Sequence, residues 1–162
     1  MQFRSPSPEA THAAARRLAE AATPGLVVGL EGPLGAGKTA FVKGLAEGLG
    51  VDPAQVTSPT FVIVCEYPAA GGRRFVHVDL YRLESVAELD ATGFPDLLGP
   101  DAVVAVEWAD RLPEGLPSDR LELRIERDGL APSERVLHAK GSGPVSRAAL
   151  DGWRQALGSK AE

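Results

Sequence analysis

Residues 32–39, GPLGAGKT, have the types and spacing of a loop that holds phosphate. They fit the pattern G-x-x-x-x-G-K-[ST], in which glycines let the backbone curl so that successive N–H groups point at phosphate oxygens. Lys38 is expected to reach the β- and γ-phosphates, and the Thr39 hydroxyl is expected to bind Mg²⁺. The predicted nucleotide contacts of this glycine loop are Gly32, Gly35, Ala36, Gly37, Lys38, Thr39 and Ala40.

The segments on either side of the glycine loop are a strand and a helix. The apolar run LVVGLE (26–31) is typical of a strand buried on both faces. After the loop, apolar residues from Phe41 to Leu49 fall on one helical face, and Gly50 suits the end of that helix. A strand before and a helix after are the context that the phosphate-loop interpretation requires.

Two acidic residues end apolar runs elsewhere in the chain. Asp79 follows FVHV and Glu107 follows VVAV, and ligands of such folds gather at the carboxyl ends of strands. One of them can hold Mg²⁺ while the other orients the attacking water, and spacing alone does not assign the two roles.

Three other features have both a functional and a structural interpretation. Thr60 lies in TSPTF (57–61), which is either a loop that senses the γ-phosphate or an ordinary turn. We expect His77 to be a packed strand residue, because three histidines and one cysteine give zinc chemistry no support. Trp108 either covers the site or packs in the core, and the residue type alone favours the core.

The remaining segments complete an α/β domain. Ser7 is the predicted N-cap of a first helix, strands are predicted at 61–67, 74–81 and 101–108, and a C-terminal hairpin precedes a last helix around 146–157. We therefore predict a single domain over residues 1–162. Its expected fold is of the P-loop NTPase type, with three layers and a largely parallel central sheet plus C-terminal antiparallel strands.

Charge and composition limit the possible partners and location. The formal net charge is −5 and the only cysteine is Cys65, so strong direct binding of nucleic acid is disfavoured and a reducing compartment is expected. No signal peptide or membrane-spanning run is evident, which favours a cytoplasmic protein without a membrane partner. Contact with nucleic acid through a partner protein is still open.

The absence of two sequence features, a guanine-selecting segment and an arginine-bearing lid, narrows the class of phosphate-loop protein. The guanine-selecting segment Asn-Lys-x-Asp does not occur, which favours adenine, and Arg82, Arg111 and Arg120 are scattered rather than grouped in a lid. A small-molecule kinase stays as the alternative function. A nucleotide-dependent binding module, whose hydrolysis is incidental, is a third hypothesis.

Five segments together resemble the TsaE family (formerly YjeE): GPLGAGKTAFVKGLAEGLG, VTSPTFVIVCEYP, FVHVDLYRLES, ELDATGFPDLL and VVAVEW. These are small bacterial P-loop ATPases of tRNA N6-threonylcarbamoyladenosine (t6A) synthesis. The likeness runs from about Ser7 to Trp108 and is looser from residue 113 onward, and Pro33 stands where the family loop often has an acid.

The resemblance implies an Mg²⁺-dependent, slow ATPase that binds ATP and ADP and acts with the TsaD and TsaB proteins. Through that complex it would reach tRNA indirectly, and its hydrolysis would reset the assembly rather than transfer the threonylcarbamoyl group. The implied roles are phosphate binding for Lys38, Mg²⁺ contact for Thr39 and Glu107, a requirement in hydrolysis for Asp79, a switch role for Thr60, a place beside the site for Trp108, and a place near the base for Ser7 and Arg135.

Overall fold

A computed structural model of the chain describes residues 1–57 and 63–158. Its strands are β1 (Gln2–Ser5), β2 (Val27–Glu31), β3 (Val64–Pro68), β4 (Arg74–Asp79), β5 (Ala102–Glu107), β6 (Leu121–Arg127) and β7 (Arg135–Gly141). Its helices are α1 (Pro8–Ala21), α2 (Lys38–Gly48), α3 (Val86–Ala91), α4 (Phe94–Leu97) and α5 (Pro144–Leu157). None of the described helices is long and apolar enough to cross a membrane.

The described strands form one mixed sheet in the order β1-β7-β6-β2-β5-β4-β3. The four central strands β6, β2, β5 and β4 run parallel, whereas β1–β7, β6–β7 and β3–β4 pair antiparallel. The predicted α/β class is confirmed, but the expectation of a largely parallel sheet is only partly right. Antiparallel strands extend both edges, because β3 and β4 form a hairpin through Gly71 and Gly72, and β1 adds to the β6–β7 hairpin.

Two apolar cores lie on opposite faces of this sheet. On one face, α1, α2 and α5 cover Leu30, Phe75 and Leu123 around the fully buried Trp153. On the other face, α3, α4 and the turns at Ala109–Arg111 and Pro113–Gly115 cover Val76, Val104 and Val106. The central strands are therefore buried on both sides, as their continuous apolar runs predict.

Helices α1 and α2 approach each other closely at two glycines of α2. A Cβ on Gly44 would lie 2.3 Å from the His12 carbonyl oxygen, and one on Gly48 would lie 2.4 Å from the Ala19 Cβ. Neither position has room for a larger side chain. This contact fixes α2, and with it the glycine loop, against the first helix.

The parallel arrangement brings the carboxyl ends of three strands to the same side of the sheet. Strands β2, β4 and β5 end at Glu31, Asp79 and Glu107, and Asp79 pairs in register with Glu107. Helix α2 begins at Lys38, seven residues after β2 ends at Glu31. The residues singled out in the sequence thus meet at the carboxyl ends of the parallel strands.

Candidate functional site

The glycine loop has a backbone that only glycine adopts readily at three positions. The φ angles are 145° at Gly32, 73° at Gly35 and 108° at Gly37, in the region where a Cβ is costly. At Gly32 there is also no space, since a Cβ would lie 2.3 Å from the Ile125 carbonyl oxygen. Gly37 is then the N-cap of helix α2, and it has no side chain that could cap the helix.

The first turn of α2 therefore presents free backbone N–H groups. The N–H groups of Lys38, Thr39 and Ala40 have no partner within the helix, as at any helix N-terminus. They and the positive end of the helix dipole form an anion-binding position next to the curled loop. Ala36, a residue of the loop itself, is fully buried. The arrangement has the chemistry of a phosphate site.

Two arginines of the β6–β7 hairpin bind the outer side of the glycine loop. Arg135 donates from Nε to the Ala36 carbonyl oxygen at 2.8 Å and from Nη2 to that of Gly35 at 3.4 Å. Arg127 donates to the carbonyl oxygens of Leu34 and Gly35 at 3.4 and 3.5 Å. Donors that hold these carbonyls outward leave the loop N–H groups free to face inward. The role of Arg127 was not expected from the sequence, because no local pattern reports a contact 92 residues away.

Lys38 is almost fully buried and turned onto the glycine loop. Its Nζ donates to the carbonyl oxygens of Gly32 (2.6 Å) and Pro33 (3.0 Å) and lies 3.8 Å from the centre of the Trp108 ring. Burial lowers the pKa of the Lys38 ammonium, and the carboxylates of Glu107, Asp110 and Asp79 oppose part of that decrease. A buried cation with weak acceptors is well suited to exchange them for phosphate oxygens.

Trp108 follows directly on Glu107 and turns the chain sharply. Its φ is 59°, the only positive value at a described residue other than glycine, which is a costly conformation for a bulky side chain. The ring is half-buried: it packs at the margin of the second core, against Tyr81 at a centroid distance of 4.9 Å, and faces Lys38. It thus lies beside the site as well as against the core.

Glu107 is held by both of its carboxylate oxygens. Thr39 donates its hydroxyl to Oε1 at 3.0 Å, and the His77 Nε2 lies 2.6 Å from Oε2. Glu107 is 2% exposed and His77 is completely buried. His77 is the packed strand residue that the sequence predicts, and its link to Glu107 is a contact that the sequence did not indicate.

Asp79 lies across from Glu107 in the neighbouring strand and is less buried. Its Oδ1 accepts a hydrogen bond from the Tyr81 N–H at 2.8 Å. Burial raises the pKa of the Asp79 carboxyl, the nearby Glu107 carboxylate adds to the increase, and the bond from Tyr81 opposes it. The repulsion between these two carboxylates is reduced when a cation lies between them.

The hydroxyl and carboxylates at this edge suit Mg²⁺, which needs few protein ligands, better than a metal ion whose ligands all come from the protein. No group of three or more His, Cys, Asp or Glu side chains in residues 1–57 and 63–158 is arranged to hold a metal ion. Mg²⁺ in nucleotide sites takes one or two protein oxygens and fills its remaining positions with phosphate and water. Thr39 and Glu107, 3.0 Å apart, provide such a pair, with Asp79 next to it.

Two further residues predicted at the site, Ser7 and Thr60, do not belong to this group of side chains around Glu107. Ser7 caps α1 and accepts a hydrogen bond from the Ala10 N–H at 3.1 Å. It follows β1, whose Ser5 pairs with Arg135, so the N-terminal segment and the hairpin meet at the same end of the sheet. Thr60 lies outside the described residues.

The chain is similar to proteins of one family along most of its length. The family model described as "Threonylcarbamoyl adenosine biosynthesis protein TsaE" matches residues 5–136. Proteins named tRNA threonylcarbamoyladenosine biosynthesis protein TsaE are 42% identical over 142 residues in Bacillus subtilis (88% of this chain, 87% of that protein) and 45% identical over 133 residues in Streptomyces coelicolor (79% and 86%).

The fold agrees with a solved relative. The crystal structure of Bacillus subtilis YdiB superposes with a TM-score of 0.74 at 36% identity, covering 96% of this chain and 94% of that one. The family match spans both the glycine loop and the two acidic strand ends. The chain therefore belongs to the TsaE family.

Proposed function

We propose that this protein is an Mg²⁺-dependent ATPase whose slow hydrolysis supports formation of t6A in tRNA. The observation that carries the proposal is the meeting of Lys38, Thr39, Glu107 and Asp79 beside the free N–H groups of the glycine loop. The names of its relatives support the pathway, since they are tRNA threonylcarbamoyladenosine biosynthesis proteins.

In this proposal each residue has a separate task. The glycine-loop N–H groups bind the phosphate chain, and Lys38 leaves its carbonyl acceptors to bind the β- and γ-phosphates. Thr39 and Glu107 hold Mg²⁺, which when bound neutralises the charge that develops on the phosphate oxygens. Arg135 and the segment at Ser7 border the position of the base.

Asp79 is the group that orients the attacking water. Glu107 has both oxygens engaged, by Thr39 and His77, whereas Asp79 is more exposed and uses Oδ1 for the Tyr81 N–H. Water attacks the γ-phosphorus, the bond to the β–γ bridging oxygen breaks, and ADP and phosphate leave. Thr60 is the proposed sensor of the γ-phosphate.

TsaB and TsaD are the proposed partners, and they bring the ATPase to tRNA. The net charge of −5 supports an indirect route, because a protein that grips tRNA alone needs a basic surface. Hydrolysis in this scheme resets the assembly between rounds of modification. The threonylcarbamoyl transfer itself belongs to the partners.

The test is a product analysis of ATP turnover with and without TsaB and TsaD. We expect only ADP and phosphate, faster turnover with the partners, and at least a hundredfold loss in Asp79→Asn with binding of a non-hydrolysable ATP analogue retained. Asp90→Asn, on the exposed side of α3, is the control. A phosphorylated metabolite as product, with no effect of the partners, would favour the kinase alternative and reject the proposal.

A further inference from the structure

His77 has one described polar contact, and that contact is with Glu107. The imidazole lies on β4, where His77 pairs with Ala105 of β5, so Glu107 is its diagonal neighbour on the same face of the sheet. A carboxylate offers only acceptors, so the Nε2 proton is donated to Oε2 across 2.6 Å. The other ring nitrogen, Nδ1, is buried and has no partner among the described residues.

The unpartnered Nδ1 makes His77 costly to stability, which suggests that the hydrogen bond from Nε2 to Glu107 has a function. A buried polar atom without a partner costs about 1–3 kcal/mol, and β4 is otherwise apolar at its buried positions, from Phe75 to Val78. An apolar side chain at position 77 would avoid the cost at Nδ1. What it would not provide is the donor for Glu107.

Glu107 needs that donor because its other oxygen is committed to Thr39. With Oε1 on the Thr39 hydroxyl and Oε2 on His77, the carboxylate has one orientation. Without His77, a nearly fully buried oxygen would lose its hydrogen bond, and the carboxylate would turn to find another. Partners of this kind behind a metal-binding side chain are typically worth 10- to 100-fold in metal affinity or activity.

We propose that His77 is a positioning residue that fixes the Glu107 carboxylate so that its Oε1 stays directed at Thr39. Thr39 and Glu107 are the two residues that would hold Mg²⁺. The proposal rests on the proposed function for the identity of the metal. It assigns His77 no contact with nucleotide and no proton transfer. Its effect must therefore appear in the linkage between Mg²⁺ and nucleotide, not in nucleotide affinity without the metal.

The experiment measures binding of a non-hydrolysable ATP analogue by calorimetry, with Mg²⁺ and with EDTA, in wild type, His77→Leu, His77→Gln and His77→Asn. We expect the gain in affinity due to Mg²⁺ to fall about tenfold in His77→Leu, while affinity in EDTA changes less than twofold. His77→Gln places an amide donor near the former Nε2 and restores most of the gain. His77→Asn places its donor near the former Nδ1 and does not.

Val78→Ala separates positioning from loss of stability. Val78 is the next residue of β4, fully buried in the core on the opposite face, so its truncation destabilises the strand without touching Glu107. If His77→Leu does not fold, the contrast between His77→Gln and His77→Asn decides the question alone. In wild type and Val78→Ala, Mg²⁺ is expected to increase affinity equally.

Three results would overturn the positioning role: an unchanged Mg²⁺ effect in a folded His77→Leu, equal behaviour of the Gln and Asn variants, or a loss in Val78→Ala as large as that in His77→Leu. A wild-type affinity that Mg²⁺ does not change would also overturn it. A wild type with a normal Mg²⁺ effect but no ATP hydrolysis would reject the proposed function and leave the positioning of Glu107 standing.

Discussion

At the scale of single residues, the two carboxylates at the strand ends are in different environments. Glu107 is buried and held at both oxygens, whereas Asp79 is half-buried and its carboxylate accepts one described hydrogen bond. The raised pKa of Asp79 means that its ionised form is less favourable in the folded chain than in the unfolded one. Asp79 thus lowers stability in exchange for its place at the site.

The sign of this effect gives a pH prediction. Below the ordinary carboxyl pKa of 3.8, Asp79 is protonated in both states and has no effect. As the pH rises from there through the raised folded-state pKa, its ionisation lowers the free energy of unfolding. Asp79→Asn is therefore expected to be more stable than wild type at pH 7, by about 0.5 kcal/mol because solvent screens a half-exposed group, and equal to it near pH 3.

Urea unfolding of the nucleotide-free chain across that pH range checks the prediction. Asp90→Asn, which removes an exposed carboxylate of α3, serves as the control and should follow wild type. The same Asp79→Asn chain is expected to lose at least a hundredfold in ATP turnover. A destabilised Asp79→Asn at pH 7 would show that the folded chain favours the ionised carboxylate, which would contradict a raised pKa at Asp79.

At the scale of elements, the position of the site depends on how α2 packs against α1. The glycines of α2 bring the two helices so close that a Cβ at Gly44 would lie 2.3 Å from the His12 carbonyl oxygen and 2.9 Å from the Ala15 Cβ. Helix α2 begins at Lys38 and carries Thr39 in its first turn. A shift of this helix would move both residues relative to Glu107.

Gly44→Ala is expected to lower the free energy of unfolding by about 1–2 kcal/mol. Overpacking costs about 1–3 kcal/mol, and alanine's better helix propensity returns up to about 1 kcal/mol. Denaturant unfolding measures the change, and Gly129→Ala is the control, because a Cβ there meets nothing within 4 Å. A Gly44→Ala chain as stable as wild type would mean that the close helix contact is not required.

Much of the element order could be predicted from the sequence, because its signals are local. The glycine loop, the N-cap at Ser7 and the apolar runs of β2 and β5 each depend on neighbouring residues. Strand β1 was missed because four residues, QFRS, carry too little pattern, and its pairing with β7 is more than 130 residues away. That pairing adds a further antiparallel strand at the edge of the mixed sheet.

The contacts that build the site were harder to predict for the same reason. Glycine-loop spacing pointed to Lys38 and Thr39, and strand ends pointed to Asp79 and Glu107, but which of them touch depends on strand register. The bond between His77 and Glu107 requires β4 and β5 to be aligned as they are. The support of the loop by Arg127 requires the C-terminal hairpin to fold back across it.

At the scale of the whole molecule, net charge bears on the indirect route to tRNA that we propose. The net charge is −5, and several arginines are engaged in ion pairs, among them Arg4, Arg16, Arg17, Arg74, Arg120, Arg124 and Arg154. Phosphate contacts supply most of the affinity of a protein for nucleic acid. The excess of acidic over basic side chains, 22 against 17, therefore opposes direct binding of tRNA by the chain alone.

We expect the isolated chain to bind tRNA no more tightly than about 10⁻⁴ M at physiological salt, the weak end of nonspecific binding. Anisotropy of a labelled tRNA, with the chain alone and then with TsaB, TsaD and ATP, measures this directly. Retention of the chain on tRNA is expected only when the partners are present. Submicromolar binding by the chain alone would contradict the indirect route.

In the proposed function, hydrolysis at Lys38, Thr39, Asp79 and Glu107 resets a tRNA-modifying assembly. That role is tested by the number of t6A residues formed per TsaB–TsaD complex when this chain is supplied as wild type or as Asp79→Asn. We expect many rounds of modification with wild type and about one with the variant, which binds ATP but does not hydrolyse it. Repeated rounds with Asp79→Asn at the wild-type rate would show that hydrolysis does not reset the assembly.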